Sequence, residues 1–104
     1  MPVRDATGAL IRALTAAFAG HALTFEHVHS RDWASGTLQA TRHRIRAHIS
    51  GPDAAHAADG FTESLEDREF DLGRYLIADI AVTDHRCDEA GVRLTIEALT
   101  IDND

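Results

Sequence analysis

Seven histidines and ten arginines, with no lysine, are the residues of this chain best suited to do chemistry. His27 and His29 are two apart, so on an extended strand their imidazoles share one face. A three-residue turn at Ala34, Ser35 and Gly36 would set His43 opposite His27 on the following strand. Three neutral imidazoles so placed can hold zinc or a similar divalent ion, which needs three or four ligands at about 2.0–2.3 Å. Asp84 or His85 would complete the set if the sheet brought them near. The bare His-x-His spacing favours the plainer account, in which histidines at the core edge bond to backbone or to carboxylates.

Arg42, Arg44 and Arg46 alternate along one strand and make a one-faced basic stripe flanked by His43 and His48. The planar guanidinium grips phosphate or carboxylate by two parallel bonds, so a phosphorylated metabolite or another small anion would suit the stripe. The more ordinary use is a cross-strand ladder of Arg44 and Arg46 with Glu26, Glu97 and Asp79. RNA is disfavoured, because sheets that bind single strands present several stacking rings and only Tyr75 is expected on that face.

Other candidates are weaker. Asp79 interrupts the apolar run Tyr75–Val82, where a desolvated carboxylate could serve as a general acid or base; a charge that blocks wrong strand pairing is the commoner role. Trp33, beside Arg31 and Asp32, is either an exposed binding aromatic or a cap on the core. Cys87 would need His85 as its base to act as a nucleophile. No dinucleotide or phosphate-binding glycine loop, nucleophile elbow, HExxH or calcium loop is present. No catalytic residue is therefore assigned.

The elements that must position these groups are readable from periodicity. Leu10, Ile11, Leu14, Ala17 and Phe18 form the apolar stripe of a helix over 3–19, with Asp5 or Thr7 placed to cap it and Gly20 to end it. The period then changes to two: Leu23, Phe25, His27 and His29 share one face of a strand, and a second strand runs over 37–50. That register sets Trp33 opposite Thr37, Phe25 opposite Ile45, Leu23 opposite Ala47 and Glu26 opposite Arg44. Ala54, Ala58, Phe61 and Leu65 predict a helix over 53–66, with Gly60 inside it. Segments 68–86 and 92–98 read as a second hairpin around a turn at 87–91, with Gly73 as a bulge or start point and a frayed, solvated tail at 102–104.

The order α-β-β-α-β-β predicts an α+β domain: a four-stranded, mostly antiparallel sheet with two helices on one face. It is a circular permutation of the ferredoxin-like arrangement, which places the last strand centrally beside the second. A sequential meander is the alternative. Either way one sheet face lacks a helix, and Val28, Tyr75, Ile77, Leu99 and Ile101 would make it more apolar than a solvated face should be. A second copy of the chain is the simplest cover, so a homodimer is expected.

A length of 104 residues fits one domain that buries enough surface to fold without disulfide or metal. The formal charge of −7 disfavours nucleic acid and anionic membrane as partners, although protonating all seven histidines would cancel it and lower solubility in mild acid. No apolar run approaches the roughly 20 residues of a membrane span, and the N-terminal segment lacks a signal pattern. The single cysteine suits a reducing compartment, and a cytoplasmic protein is expected. All-arginine basicity and 18 alanines fit the coding bias of a GC-rich bacterial genome. The resulting expectation is a small non-enzymatic module that associates with itself, with metal binding at His27, His29 and His43 or anion binding at Arg42, Arg44 and Arg46 as alternatives.

Overall fold

Helical spacing of Ala6, Leu10 and Leu14 buries one stripe of α1 (Pro2–Ala17), which Phe18 continues just past its end, and the spacing of Ala54, Ala58 and Phe61 does the same for α2 (Ala54–Ser64) in a computed structural model that describes residues 2–103. Between and after the helices lie β1 (Ala22–Ser35), β2 (Leu38–Ser50), β3 (Tyr75–Asp88) and β4 (Gly91–Asp102). All four join one antiparallel sheet in the order β1-β2-β4-β3. The last strand thus lies centrally beside the second, as the permuted arrangement requires and a sequential meander does not.

Strict alternation on the two central strands aims Thr41, His43, Ile45, Ala47 and Ile49 of β2 and Val92, Leu94, Ile96, Ala98 and Thr100 of β4 inward. Both helices share one core with these strands. The rings of Phe18 and Phe61 meet there with centroids 4.7 Å apart, joining helix to helix above the sheet. At the start of β4, Gly91 is required: its φ is +147°, and a Cβ would lie 2.0 Å from the carbonyl oxygen of Ile49 on β2.

The edge strands depart from alternation. β1 carries an extra, unpaired residue at Glu26, and β3 carries one at Ala78 and another at Thr83. Each bulge exchanges the two faces of the strand beyond it. Tyr75 and Ile77, expected on the open face, turn instead toward the core, and Leu76 becomes 52% exposed. Val28 pairs with Ile45 on the helix side of the sheet. The expected apolar open-face patch therefore loses Val28, Tyr75 and Ile77.

The first hairpin also closes differently. Gly36 takes a φ of +62° and Ser35 pairs with Leu38, so the loop has two residues instead of three. Trp33 pairs with Ala40, Phe25 with Ala47 and Leu23 with Ile49. The expected partners are thus shifted by two residues near Phe25, which keeps the face, and by three from His27 to Trp33, which reverses it.

Smaller differences lie at the boundaries. Residues 68–74 precede β3 without joining it: 68–71 are irregular, Leu72 makes an isolated bridge with Tyr75, and Gly73 at φ +66° forms the turn just before the strand starts. Asp102 belongs to β4 and bonds Arg74 at 3.2 Å, and the Asn103 N–H donates to the Arg74 carbonyl, so these two tail residues are held. Asp104 and the Asp5 side chain lie outside the described residues. Thr7 lies within α1 and bonds Ser30 rather than capping the helix.

Candidate functional site

Directly paired residues of an antiparallel sheet place their side chains on the same face, so the register lays out the helix-free face in rows. Trp33, Ala40, Ile101 and Leu76 form an apolar row across one end. The next row is Arg31, Arg42, Leu99 and Asp79, followed by His29, Arg44, Glu97 and Ala81, and then His27, Arg46, Thr95 and Asp84. Thr24, His48, Arg93 and Arg86 form the last row. The β1/β2 half is consequently basic, whereas the β3/β4 half holds the acids Asp79, Glu97 and Asp84. A shallow depression of about 210 Å3 lies between Arg42 and Arg44 on one side and Asp79, Ala81 and Glu97 on the other.

The last row is electrostatically closed. Arg93 donates to both Glu26 oxygens, at 2.8 and 3.2 Å, and pairs with Asp88 as well. The hydrogen bonds from Arg93 hold the Glu26 carboxyl below its usual range. Desolvation pushes the Asp88 carboxyl up, but the N–H groups of Ala90 and Gly91 and the charge of Arg93 outweigh it and leave the carboxyl lowered. The bond to Glu26 raises Arg93. His48 Nε2 stands 3.8 Å from Asp88 Oδ1 and makes no hydrogen bond. Arg86 pairs with Asp84 at 2.9 Å.

The middle rows are open by contrast. Arg31, Arg42, Arg44 and Arg46 are exposed, and among the described residues none of the four makes an ion pair. The expected ladder does not form. Glu26 is taken by Arg93; Glu97 is the register neighbour of Arg44 without an ion pair; and Asp79 lies beside Leu99. Arg46 acts only at longer range, helping to keep Glu26 ionised.

On the helix-covered face a polar chain runs through the core wall. The Thr7 hydroxyl donates to Ser30 Oγ at 2.8 Å, and Ser30 Oγ lies 2.8 Å from His43 Nδ1. His43 Nε2 lies 2.8 Å from Thr100 Oγ1, whose hydroxyl points to the Thr41 carbonyl. Thr41 in turn donates to Asp32 at 3.2 Å. The directions leave Ser30 to donate to Nδ1 and the Nε2 N–H to donate to Thr100, so the network selects the neutral Nε2–H tautomer. Desolvation lowers the His43 pKa to about 4, although the charge of Asp32 acts the other way. At this end of the sheet a cleft of about 310 Å3 is lined from both sides, by Asp32, Thr41, Tyr75 and Thr100 of the helix-covered face and by Trp33 and Ala40 of the open-face row.

Protein families, curated proteins and solved structures were compared with this chain. None matches. The site therefore has to be interpreted from its own chemistry.

The three histidines do not converge. His27 and His29 stand together on the open face, rings nearly parallel with centroids 6.4 Å apart, but the cross-strand neighbour of His27 is Arg46. His43 points to the opposite face with both ring nitrogens engaged by hydroxyls. The bulge at Glu26 and the shorter turn cause this separation by reversing β1 against β2. No group of three or more His, Cys, Asp or Glu side chains among the described residues could hold a metal ion.

Asp84 and His85 fall on opposite faces of β3, so the strand cannot bring both to one histidine cluster. Arg42, Arg44 and Arg46 do share the open face as expected. Trp33 is half exposed rather than a cap, and His85 Nε2 lies 3.9 Å from the exposed Cys87 sulfur.

Sequence reading missed the Thr7–Ser30–His43–Thr100–Thr41–Asp32 chain. A signal was available on the central strands, where alternation places Thr41, His43 and Thr100 among inward apolar residues. Polar groups at such positions need partners. The Ser30 and Asp32 end could not be read the same way, because the bulge hides their facing.

Proposed function

We propose that this chain is a non-enzymatic association module that works through its open sheet face, and that its partner is a second copy of itself. The observation that carries the reading is the set of four exposed arginines, Arg31, Arg42, Arg44 and Arg46, which make no ion pair among the described residues in a chain of net charge −7. Acidic chains have carboxylates to spare, and cross-strand pairing is the routine way to neutralise a sheet arginine. Four left over on one contiguous face are therefore groups with chemistry still to do. The acids able to meet them, Asp79 and Glu97, stand on the other half of the same face. Arginine is also enriched at protein interfaces, where its fork binds carboxylates and its stem covers apolar surface.

The buried serine–histidine pair supports a non-enzymatic role. Ser30 and His43 are in hydrogen-bond reach, but Ser30 also accepts from Thr7, and an imidazole with a pKa near 4 is a weak base at neutral pH. Their hydrogen bonds serve the core wall.

A second reading rests on the same arginines. Arg42, Arg44 and Arg46 recur about every 7 Å along β2 and would present parallel forks to a phosphorylated small molecule. Native mass spectrometry of untagged protein separates the two. A dimer carrying no added mass is the expected result. A monomer that retains phosphate or a phosphorylated small molecule, with loss of that mass in the Arg42→Ala, Arg44→Ala, Arg46→Ala variant, would replace self-association with anion binding.

A further inference from the structure

Two independent patterns cross the open face, and together they select one way for two copies to meet. The first is charge, which changes sign from side to side across the middle rows: Arg31, Arg42, Arg44 and Arg46 lie on β1 and β2, and Asp79, Glu97 and Asp84 on β3 and β4, whose own Arg86 and Arg93 stand in the end row and are already paired. The second is polarity, which changes from end to end: the row Trp33, Ala40, Ile101 and Leu76 is apolar, and the row of Thr24, His48, Arg93 and Arg86 is polar and largely paired.

Sheets packed face to face with their strands aligned can be related by a two-fold axis lying along the strands or across them. An axis across the strands sets each strand over itself and reverses its ends. Basic half would then cover basic half, Arg44 would face Arg44, and the apolar row would lie on the charged row. An axis along the strands keeps the ends together and exchanges the sides. Basic half then covers acidic half, and apolar row covers apolar row. Only this second operator satisfies both patterns.

Resting on the reading that the open face is the working surface, we propose that two copies pack open face to open face about a two-fold axis running along the strands between β2 and β4. Row by row, Trp33 of each copy then meets Leu76 of the other and Ala40 meets Ile101. Arg31 meets Asp79, Arg44 meets Glu97 and His27 meets Asp84, whereas Arg42 lies over Leu99, Arg46 over Thr95 and His48 over Arg93. Every contact occurs twice.

Sheets pack about 10 Å apart, a gap that an arginine and a carboxylate side chain together can span. Four strands about 4.8 Å apart and five rows about 7 Å apart give a footprint of roughly 600 Å2 per copy, so that the pair buries roughly 1,200 Å2, at the lower end of stable interfaces. An interface of that size, held by ion pairs, is expected to weaken with salt.

Charge exchange tests the axis. The 104-residue chain is examined by sedimentation equilibrium at low salt as wild type, as the Arg31→Glu, Arg44→Glu variant and as the Asp79→Arg, Glu97→Arg variant, with far-UV circular dichroism to verify folding. Wild type should be a dimer, and each variant alone should lose the dimer, its dissociation constant rising at least tenfold. An equimolar mixture of the variants should recover the dimer mass, because each mutated half then faces a complementary one.

A monomeric wild type would overturn the open-face reading and the axis with it. A wild-type dimer that neither variant weakens would do the same, by placing the interface elsewhere. Loss of dimer in both variants without recovery on mixing would overturn the axis alone and leave the open face as the interface.

Should a charge variant fail to fold, short bismaleimide cross-linking in a Cys87→Ser background decides instead. Trp33→Cys mixed with Leu76→Cys should cross-link between chains, and His29→Cys alone should not. Self-cross-linking of His29→Cys without the mixed product would place the axis across the strands.

Discussion

The central strands β2 and β4 and the edge strands β1 and β3 obey different rules, although their compositions look alike. On β2 and β4 every second side chain is inward from one end to the other, and the strands pair without interruption from Ala40–Ile101 to Ser50–Gly91. On β1 and β3 the facing changes at Glu26, Ala78 and Thr83. A central strand has hydrogen-bonded neighbours on both sides, so an extra residue would break two ladders at once. An edge strand has one neighbour and can shed a residue into a bulge, which also twists the edge and hinders pairing with a foreign strand. What would be a defect in the centre is thus an adjustment at the edge, and here it decides which histidines see solvent.

Removing one residue from a central strand tests this contrast most severely. Deletion of Arg44 would turn one end of β2 over, exposing Ile45, Ala47 and Ile49 or else Thr41 and His43, against a core where Ile45 and Ile49 are fully buried. The cost should exceed the whole stability of a domain, roughly 5–10 kcal/mol. The expected outcome is loss of the cooperative unfolding transition in urea, and a variant that still unfolds cooperatively would contradict the account.

The next effect is set by His43, the one histidine that central alternation buries. Its folded pKa of about 4 lies below the ordinary value of 6.5, so between these values the unfolded chain binds a proton that the folded chain refuses. The stability contributed by the neutral imidazole is therefore whole above pH 6.5 and is lost as the pH falls through 6.5 toward 4. That interval corresponds to roughly 3 kcal/mol at about 1.4 kcal/mol per pH unit. Urea midpoints measured from pH 7 to pH 4 should fall steeply for the native sequence and much less for His43→Gln. Equal slopes would mean that His43 charges freely within the fold.

How far the sequence could be read follows the same division. Helix positions, the element order, the position of β4 beside β2 and the one-faced arginine stripe were all legible, because the helical stripes and the central strands keep their periods. The placement of His27, His29, Tyr75 and Ile77 was not. A bulge leaves no mark on the alternation of residue types when both resulting faces are mixed, as at Phe25-Glu26-His27 and Ile77-Ala78-Asp79. The hairpin register failed for a related reason: Ala34, Ser35, Gly36 and Thr37 permit either a two-residue or a three-residue loop, and tertiary pairing chooses. The arginine ladder failed one step later, because Arg93 at the end of β4 claims Glu26 across β2.

Identical residues on the two kinds of strand give a finer measure. Val92 on β4 is 1% exposed and Val28 on β1 is 41% exposed, so Val92→Ala removes buried methyls and leaves a cavity, whereas Val28→Ala trims a side chain already in contact with water. The first should cost about 2–3 kcal/mol and the second less than about 1 kcal/mol by denaturant titration. Similar costs at the two sites would show that the edge strand is packed as tightly as the centre.

Ala78 supplies the smallest effect and the most specific one. It is the residue left without a partner between the Ile77–Thr100 and Asp79–Leu99 pairs. Deleting it should preserve every cross-strand pair and every facing on β3: Ile77 and Ile80 stay toward the core, and Asp79 and Ala81 stay on the open face. What changes is the local twist, at a cost of about 1 kcal/mol, within the ordinary range for single changes. Deletion of a residue from β3 would then be cheap at Ala78 and expensive two positions later at Ile80, where the partner Ala98 would be lost and the following strand turned over. Paired urea titrations of the two deletions read this directly. Equal damage would mean that β3 depends on its bulge for folding, and that the edge is as intolerant of length as the centre.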